Sequence, residues 1–324
     1  MIVDESQEEV KNLRIPQFVY GEKPTWVFLP QDYELLEEDH LSEGFSLSGQ
    51  DAQIDFSLST GEMYTVDIQD EGEAVPKYKR ASQNDSEYFQ KYLERFPAED
   101  RIERCTDLIA GQINRNNRYS TQDVKDYVKR VVANMTEEEL AVIETSIPSY
   151  ARKIQEKISK LENEYRAKQF KKWIDSGKVK CEESYSIPKV ITPAETIDSI
   201  PDSLYEAEKD DMNNFERKVI DTVVGMNNIR WWHRIIERKD FCLNGWFRHY
   251  PDFMVMTKSG KLLLIEAKGD YLDGDDSKAK LELGRKWQEQ AGRMYRYFMV
   301  FNKKELGMDG AYTLDEFANL MKDL

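Results

Sequence analysis

The chain has 324 residues, of which 40% are hydrophobic and 11% aromatic, and this content excludes a disordered protein and allows two or three folded domains. No run of about 18 apolar residues occurs, and the first ten residues, MIVDESQEEV, lack the features of a signal peptide. We therefore expect a cytoplasmic protein with no membrane partner. Three well-separated cysteines, Cys105, Cys181 and Cys242, favour neither a disulfide framework nor a CxxC zinc site.

The formal net charge of -15 is confined to the N-terminal part of the chain. Residues 1 to 100 carry 8 basic and 23 acidic side chains, so the rest of the chain is neutral overall. Residues 150 to 180 hold 10 basic and 4 acidic side chains, which predicts either phosphate contacts or a solvated helix face. The acidity of the whole chain therefore does not exclude a nucleic-acid partner.

The first predicted domain, residues 1 to 100, is an acidic, β-rich segment. Short strands are predicted in TWVFL at 25 to 29, AQIDFSL at 52 to 58 and EMYTVDI at 62 to 68, because these runs are rich in β-branched and aromatic residues and are separated by glycines and acidic residues. The sequence predicts no chemical role for this domain.

The second predicted domain, residues 101 to 200, is a helical connector. Thr121 and the pair Thr136 and Glu139 are predicted to cap helices. A longer helix is predicted from a seam of apolar residues at 4-3-4-3-4 spacing, which favours packing within the chain but also suits a partner subunit. The seam consists of Ile147, Ala151, Ile154, Ile158, Leu161 and Tyr165. The proline-rich stretch at 186 to 203 is the predicted linker to the next domain.

The third predicted domain, residues 205 to 324, has the element order of an α/β protein. Asn213 or Asp211 is predicted to cap a helix that ends near Gly225, and Ser277 to cap a later helix. Strands are predicted at 229 to 236, 241 to 248, 252 to 257, 261 to 268 and 295 to 301. A capping box at Thr313 and Glu316 predicts a final short helix.

Charged residues gather at one end of an otherwise apolar hairpin in the stretch PDFMVMTKSGKLLLIEAKG, residues 251 to 269. A turn centred on Ser259 places Asp252 opposite Glu266, and strand alternation places Lys268 on the face of Glu266. Two carboxylates can hold Mg²⁺ while leaving ligand positions open, and a lysine can position water beside a phosphate. A salt bridge between Asp252 and Lys268 beside a solvated Glu266 is the alternative interpretation.

These three residues match the signature of the PD-(D/E)XK nucleases. The surrounding motifs NNFE at 213 to 216, RWWHR at 230 to 234, NGWFRHYPDF at 244 to 253 and YFMVF at 297 to 301 resemble the C-terminal endonuclease domain of type III restriction enzyme restriction subunits. The resemblance is strong over the last third of the chain, and the preceding region is similar to the segment that joins helicase to nuclease in those subunits.

The resemblance implies a mixed-sheet core in the order α-β-β-β-α-β and a role in restriction-modification and phage defence. It implies Mg²⁺-dependent cleavage of double-stranded DNA to leave a 5′-phosphate, with Mn²⁺ as a substitute, and Glu216 as an auxiliary metal ligand beside Asp252 and Glu266. It also implies two partners, a superfamily 2 helicase or translocase and a DNA methyltransferase (modification) subunit.

One departure from the family is the absence of a GxxxxGK[ST] phosphate loop, so we expect no ATP site in this chain. The chain is then a fragment of a longer subunit or a separately encoded nuclease half. Two alternatives remain open. The chain is an assembly and DNA-tethering module that is active only with separate motor and modification subunits, or it is a stand-alone nuclease acting on RNA or free DNA ends.

Further basic residues are candidates for DNA contact. Lys278, Lys280, Arg285 and Lys286 populate the helix that follows the hairpin, and Arg234 and His249 lie near the site in sequence. The structural alternatives are a surface charge for the lysines and Arg285 and a support of the hairpin for His249. Alternation along the strand predicts that at least one of Trp231 and Trp232 belongs to the core. The aspartates between Asp270 and Asp276 are predicted to form a solvated loop.

Overall fold

The computed structural model describes residues 2, 10, 12–21, 32–56, 64–67, 77–80, 95, 97–113, 119–198, 200–209, 211–269, 274–303 and 307–324. The predicted strand at 25 to 29 lies outside these residues, as do Asp270 and Asp273 of the predicted acidic loop. None of the described helices is both long and apolar enough to cross a membrane.

The helices of the described residues are α1 (Glu38–Ser42), α2 (Ala98–Ile113), α3 (Thr121–Ala133), α4 (Glu137–Ala141), α5 (Ile143–Asp175), α6 (Asn214–Val224), α7 (Asp275–Ala291) and α8 (Leu314–Lys322). The strands are β1 (Arg14–Tyr20), β2 (Glu34–Leu35), β3 (Tyr64–Asp67), β4 (Lys77–Arg80), β5 (Val179–Ser186), β6 (Thr196–Asp198), β7 (Ala207–Lys209), β8 (Ile229–Arg234), β9 (Leu243–Asn244), β10 (Arg248–His249), β11 (Phe253–Thr257), β12 (Leu262–Lys268), β13 (Tyr295–Phe301) and β14 (Ala311–Thr313).

The chain divides into two compact units. Unit 1 consists of Met1–Leu41 and Arg166–Leu324, and unit 2 consists of Ser42–Tyr165. This division differs from the predicted boundaries near residues 100 and 205. The physical reason is that β1 pairs with β5 in antiparallel fashion, so that the N-terminal strand belongs to the same unit as the C-terminal third of the chain.

Unit 1 is built on a mixed five-stranded sheet with the order β14-β13-β12-β11-β8. The pairs of β11 with β8 and with β12 are antiparallel, whereas β12, β13 and β14 run parallel. Along the chain, α6 is followed by β8, the short β9–β10 hairpin, β11, β12, α7 and β13. The predicted α/β class of the C-terminal region is thus confirmed as a mixed α/β fold.

The hairpin of β11 and β12 has the predicted register. Phe253 pairs with Ile265 and Met256 with Leu262, which centres the turn on Ser259. All residues of β11 are buried, as predicted for a hairpin covered on both faces. Gly260 in the turn has φ +85, a left-handed conformation that costs glycine little.

Alternate residues of this hairpin face two different layers of core. Phe253 and Val255 pack with α6 and α8, whereas Met254 and Met256 pack with α7 and with Phe18 of β1. Trp231 and Trp232 of β8 are both buried, one in each layer, which confirms the prediction that at least one belongs to the core. Because side chains alternate along a strand, Glu266 lies on the α7 face of the sheet.

The predicted single strand at 241 to 248 is wrong, because the chain turns there and forms β9 and β10, which pair with each other. The Asn244 amide explains the turn, since it donates to the carbonyls of Phe18 (2.8 Å) and Leu36 (3.0 Å). Gly245 follows it where a Cβ atom would meet Leu283 Cδ1 at 2.3 Å. Trp287 Nε1 of α7 likewise donates to the carbonyl of Pro16, at 2.7 Å. These bonds attach the N-terminal strand to the C-terminal body.

Helix capping follows the sequence at three of five predicted positions. Asn213, Thr136 and Thr313 each form a complete capping box. Two predictions are wrong: α3 is capped by Ser120 instead of Thr121, and α7 begins at Asp275 after Gly274, which places Ser277 inside its first turn. Both true caps precede the predicted residue.

Unit 2 is helical. Ile147, Ala151, Ile154 and Ile158 of the predicted seam are buried in a core shared with α2 and α3, so the seam packs within the unit. The predicted strand in AQIDFSL is wrong over residues 52 to 56, which are irregular, because Arg130 and Tyr127 of α3 bond to the carbonyls of Gln50 and Asp51 in place of a strand partner. The predicted strand in EMYTVDI is present as β3, which pairs with β4.

Candidate active site

The three predicted residues of the hairpin lie together at its open end. Asp252 directly precedes β11, and its Oδ2 accepts a hydrogen bond from the backbone N–H of Ala267 at 2.6 Å. Lys268 Nζ lies 2.9 Å from Glu266 Oε1. Burial and, next, the nearby Glu266 carboxylate raise the pKa of Asp252, whereas Arg234 opposes the shift. The two carboxylates are therefore close enough to repel each other electrostatically.

Glu266 is the centre of this cluster. The residue is only 3% exposed, and Lys280 Nζ of α7 donates to its Oε1 at 3.5 Å, beside the contact with Lys268. Its Oε2 is buried and has no hydrogen-bond partner among the described residues. A buried carboxylate oxygen without a donor is costly, and such atoms commonly face a ligand, an ion or water. The alternative interpretation of a solvated Glu266 beside a bridge between Asp252 and Lys268 does not describe this arrangement.

His249 closes one side of the cluster from inside the protein. Its Nε2 lies 2.9 Å from the hydroxyl of Tyr297 and 3.8 Å from Glu266 Oε2. Burial lowers the pKa of His249 to about 3, and the ammonium of Lys280 acts in the same direction, so the ring is neutral at pH 7. The side chain is fully buried, which places it against Glu266 and Tyr297 and not on a surface that DNA can reach.

Arg234 is the second centre of the site. Its Nη1 lies 2.7 Å from Asp252 Oδ1, its Nη2 3.3 Å from Glu216 Oε2 and its Nε 3.2 Å from Asp211 Oδ1. The guanidinium also lies over the ring of Phe253. Burial alone lowers the pKa of Arg234, but the three carboxylates outweigh it, so the side chain is a permanent buried cation.

Glu216 reaches the site only through Arg234. Its Oε2 accepts from the backbone N–H of Asn213 at 3.0 Å in the capping box of α6, as well as from Arg234. Burial raises the pKa of Glu216 to about 7, and the charge of Asp252 adds to this shift. Since α6 covers the face of the sheet opposite to α7, Glu216 and Glu266 approach the site from different layers.

The donor set suits one hard divalent cation held by few protein ligands. Among the described residues, no three histidine, cysteine, aspartate or glutamate side chains are grouped so as to hold a metal ion. Mg²⁺ binds through one or two carboxylates and keeps several waters, so Asp252 and Glu266 are sufficient. Each oxygen of Asp252 retains a second lone pair beside its present hydrogen bond. Together with the unpartnered Oε2 of Glu266, these lone pairs fit such an ion.

The basic residues of α7 differ in position. Lys280 points into the site, and Glu266, with Asp276 next, raises its pKa against the opposing effect of burial. Lys278, Arg285 and Lys286 are more exposed, and their side chains lie 4.0 Å from Asp275, 2.9 Å from Asp309 and 2.9 Å from Glu289, respectively. Of the four basic residues of α7, these three lie at its surface and Lys280 does not.

A buried polar network lies directly behind Arg234. Glu208 Oε2 accepts from the backbone N–H of Arg234 at 3.2 Å and lies 3.4 Å from His233 Nδ1. His233 Nε2 is paired with Asp240, which also accepts a hydrogen bond from Tyr185. Burial lowers the pKa of His233, but Asp240 and Glu208 outweigh it and raise the pKa to about 9.

Sequence reasoning did not assign the structural roles of Arg234, Lys280 and Tyr297. The signal for Arg234 was available in principle, because a strand that pairs with β11 places its last residue beside Asp252. Lys280 lies four residues before Gly284 and seven before Trp287, which are both buried, so the apolar periodicity of α7 was the available signal that this lysine faces inward. Tyr297 carries no sequence signal, since it lies in an apolar strand.

Comparisons with protein-family models, with curated proteins and with solved structures found no match for this chain. The class of site is therefore inferred from the chain's own residues. Within a mixed α/β fold, two carboxylates and two lysines lie together at the open end of a buried hairpin.

Proposed function

We propose that this chain is a divalent-metal-dependent endonuclease that hydrolyses phosphodiester bonds of double-stranded DNA, and that unit 1 carries a PD-(D/E)XK nuclease core. The observation that carries the proposal is the buried carboxylate of Glu266. One of its oxygens faces two lysines and the other has no donor among the described residues, next to Asp252 across the hairpin. The order of α6, β8, β11, β12, α7 and β13 supports the proposed core.

In the proposed reaction, Asp252 and Glu266 would hold Mg²⁺, for which Mn²⁺ could substitute. When bound, the ion would supply Lewis acidity toward the phosphate and would lower the pKa of a water molecule. Lys268 orients the attacking water and, with Lys280, offsets negative charge that develops on the phosphate. The water oxygen loses a proton to solvent and forms a bond to phosphorus, while the bond from phosphorus to the 3′ oxygen breaks and that oxygen takes up a proton from solvent, which leaves a 5′-phosphate and a 3′-hydroxyl.

The proposed path of DNA runs over the exposed basic residues of α7. Lys278, Arg285 and Lys286 present cations at the surface of the helix that also carries Lys280 into the site. Lysine and arginine contacts to phosphates release counterions, so each lost contact should reduce the slope of log affinity against log salt by about 1. Lys278→Gln and Lys286→Gln test this by DNA binding at several salt concentrations. An unchanged slope in both would place the DNA elsewhere.

A requirement for partners is the second part of the proposal, and it depends on the sequence resemblance. A superfamily 2 motor and a modification subunit would deliver DNA to this site, and the chain alone would act as a tethering module until they do. Unit 2 supports this version, because it forms a separate helical body for which the sequence predicts no catalytic motif.

Cleavage of supercoiled plasmid and of linear DNA with Mg²⁺, Mn²⁺ or EDTA tests the proposal. Glu266→Gln and Lys268→Met should each lower the rate at least about 100-fold, because each removes a ligand or a charge that acts on the reacting phosphate. The matched control is Asp221→Asn, which disrupts another pair of opposite charges, that with Arg217, on the surface of α6. Its rate should remain that of the wild type.

The metal is measured independently of activity by calorimetric titration with Mn²⁺. Binding that disappears in Glu266→Gln, without cleavage by the wild type, indicates a competent site that waits for its partners. Cleavage that survives both substitutions would refute the assignment of the site. The absence of divalent-ion binding by the folded wild type would refute the nuclease proposal itself.

A further inference from the structure

Arg234 stands where three carboxylates from three segments converge. Asp211 precedes α6, Glu216 lies in its first turn and Asp252 precedes β11, and the guanidinium contacts all three at 2.7 to 3.3 Å. The Arg234 side chain is 9% exposed, and its Nη1 also donates to the carbonyl of Asp252 at 3.1 Å. A buried cation in contact with three carboxylates balances charge in the way that a bound metal ion does.

The position of this cation limits what Asp252 can bind. In enzymes that cleave phosphodiesters with two metal ions, the ions lie about 3.5–4 Å apart. Asp252 has Arg234 on Oδ1, while Oδ2 accepts from Ala267 on the strand that carries Glu266. A second ion beside Asp252 and Glu216 would need the space that the guanidinium already fills.

We propose that Arg234 is an internal substitute for a second metal ion, so that the site takes a single divalent ion between Asp252 and Glu266. This inference rests on the proposed function and specifies its metal stoichiometry. Arg234 is a positioning residue, because it fixes the Asp252 carboxylate without reaching the attacking water. Glu216 then serves Arg234 and the start of α6, and it is not a metal ligand while Arg234 is present.

Calorimetric titration of the full chain with Mn²⁺ tests the stoichiometry. The wild type should bind one ion. Arg234→Met removes the cation and keeps much of the apolar side chain, and it should bind two ions, the second in the vacated space between Glu216 and Asp252. The matched control is Arg217→Met on α6, which removes an exposed arginine paired with Asp221 at 3.0 Å and should bind one ion.

Two further variants separate charge from geometry. Arg234→Lys keeps a cation among the carboxylates and should bind one ion. Arg234→Met combined with Glu216→Gln removes a ligand of the new site and should return the count to one. Circular dichroism with and without Mn²⁺ reports folding of each variant, and recovery of R234M only with Mn²⁺ would support the proposal as well.

The outcomes are distinct. Two ions on the wild type, or one ion on folded R234M, would overturn the inference while leaving the nuclease proposal intact. No ion on the folded wild type would overturn the nuclease proposal and the inference with it. If R234M does not fold under any condition, Glu216→Gln decides. One ion bound as tightly as by the wild type supports a Glu216 that serves Arg234, whereas weaker ion binding overturns the inference.

Discussion

Titration of His233 should make the stability of unit 1 fall in mildly alkaline solution. Asp240 and Glu208 raise the pKa of this buried ring from 6.5 to about 9. A folded-state pKa above the unfolded value means that the stabilisation is fully present below pH 6.5 and is lost as the pH rises through about 9. At about 1.36 kcal/mol per pKa unit, the shift corresponds to roughly 3 kcal/mol.

The perturbation is His233→Gln, which removes the titrating group from the network. The assay is urea denaturation at pH 6 and pH 9.5, followed by tryptophan fluorescence. All six tryptophans of the chain belong to the residues of unit 1, so this signal reports that unit alone. The wild type should lose about 3 kcal/mol more of its free energy of unfolding between the two pH values than the variant does.

The control is His40→Gln, because His40 is a partly exposed histidine of unit 1 that lies 3.5 Å from Glu34. The difference between the wild type and this control is the baseline against which the effect of His233→Gln is judged. Equal pH dependence in the wild type and in His233→Gln would refute the reasoning, since it would mean that the ring does not hold its proton between Asp240 and Glu208. Groups that titrate elsewhere affect all three proteins alike and cancel in the comparison.

Three further outcomes follow from described contacts. His249 has a folded-state pKa of about 3, so the stabilisation from its neutral ring is present above pH 6.5 and is lost as the pH falls. Between pH 7 and pH 5, the free energy of unfolding of His249→Gln should therefore fall by about 2 kcal/mol less than that of the wild type in the same urea assay. Gly284→Ala should destabilise unit 1 by about 1–3 kcal/mol, because its Cβ would meet the Tyr297 ring at 2.3 Å, whereas Gly111→Ala, with open space around it, should stabilise unit 2 by up to about 1 kcal/mol in circular dichroism melts. Thr313→Ala should cost about 1 kcal/mol by loss of the α8 capping box, and Thr313→Ser should restore most of it.

The hairpin was predictable because two local rules specify it. The turn signal Lys258-Ser259-Gly260 fixes the register, and a fully apolar pattern on both strands requires burial on both faces. The opposition of Asp252 and Glu266 follows from that register. Capping boxes were predictable for the same reason, because both partners lie within four residues of each other.

The other features of the fold and of the site could not be predicted, because they depend on contacts between residues that are distant in sequence. Nothing near residue 17 indicates that β1 pairs with β5 or that Asn244 binds its backbone more than 200 residues later. The direction of Lys280 follows from the periodicity of α7, but its partner Glu266 lies on another element, and only the folded chain brings the two side chains together. Arg234 was predicted to contact DNA, and its burial among carboxylates was not foreseen because those carboxylates come from segments that only the folded chain brings together.

The discontinuity of unit 1 has a consequence for synthesis on the ribosome. The residues of unit 2 are complete once residue 165 has emerged, whereas β1, with the run Ile15 to Val19 buried in the finished protein, must await β5 and α7. Until then the edge of β1 that pairs with β5 lacks its partner and invites pairing with other chains. Ribosome-bound chains halted after residue 165 should therefore resist protease across unit 2 while β1 is cleaved, and protection of β1 should arise only after α7 has been translated.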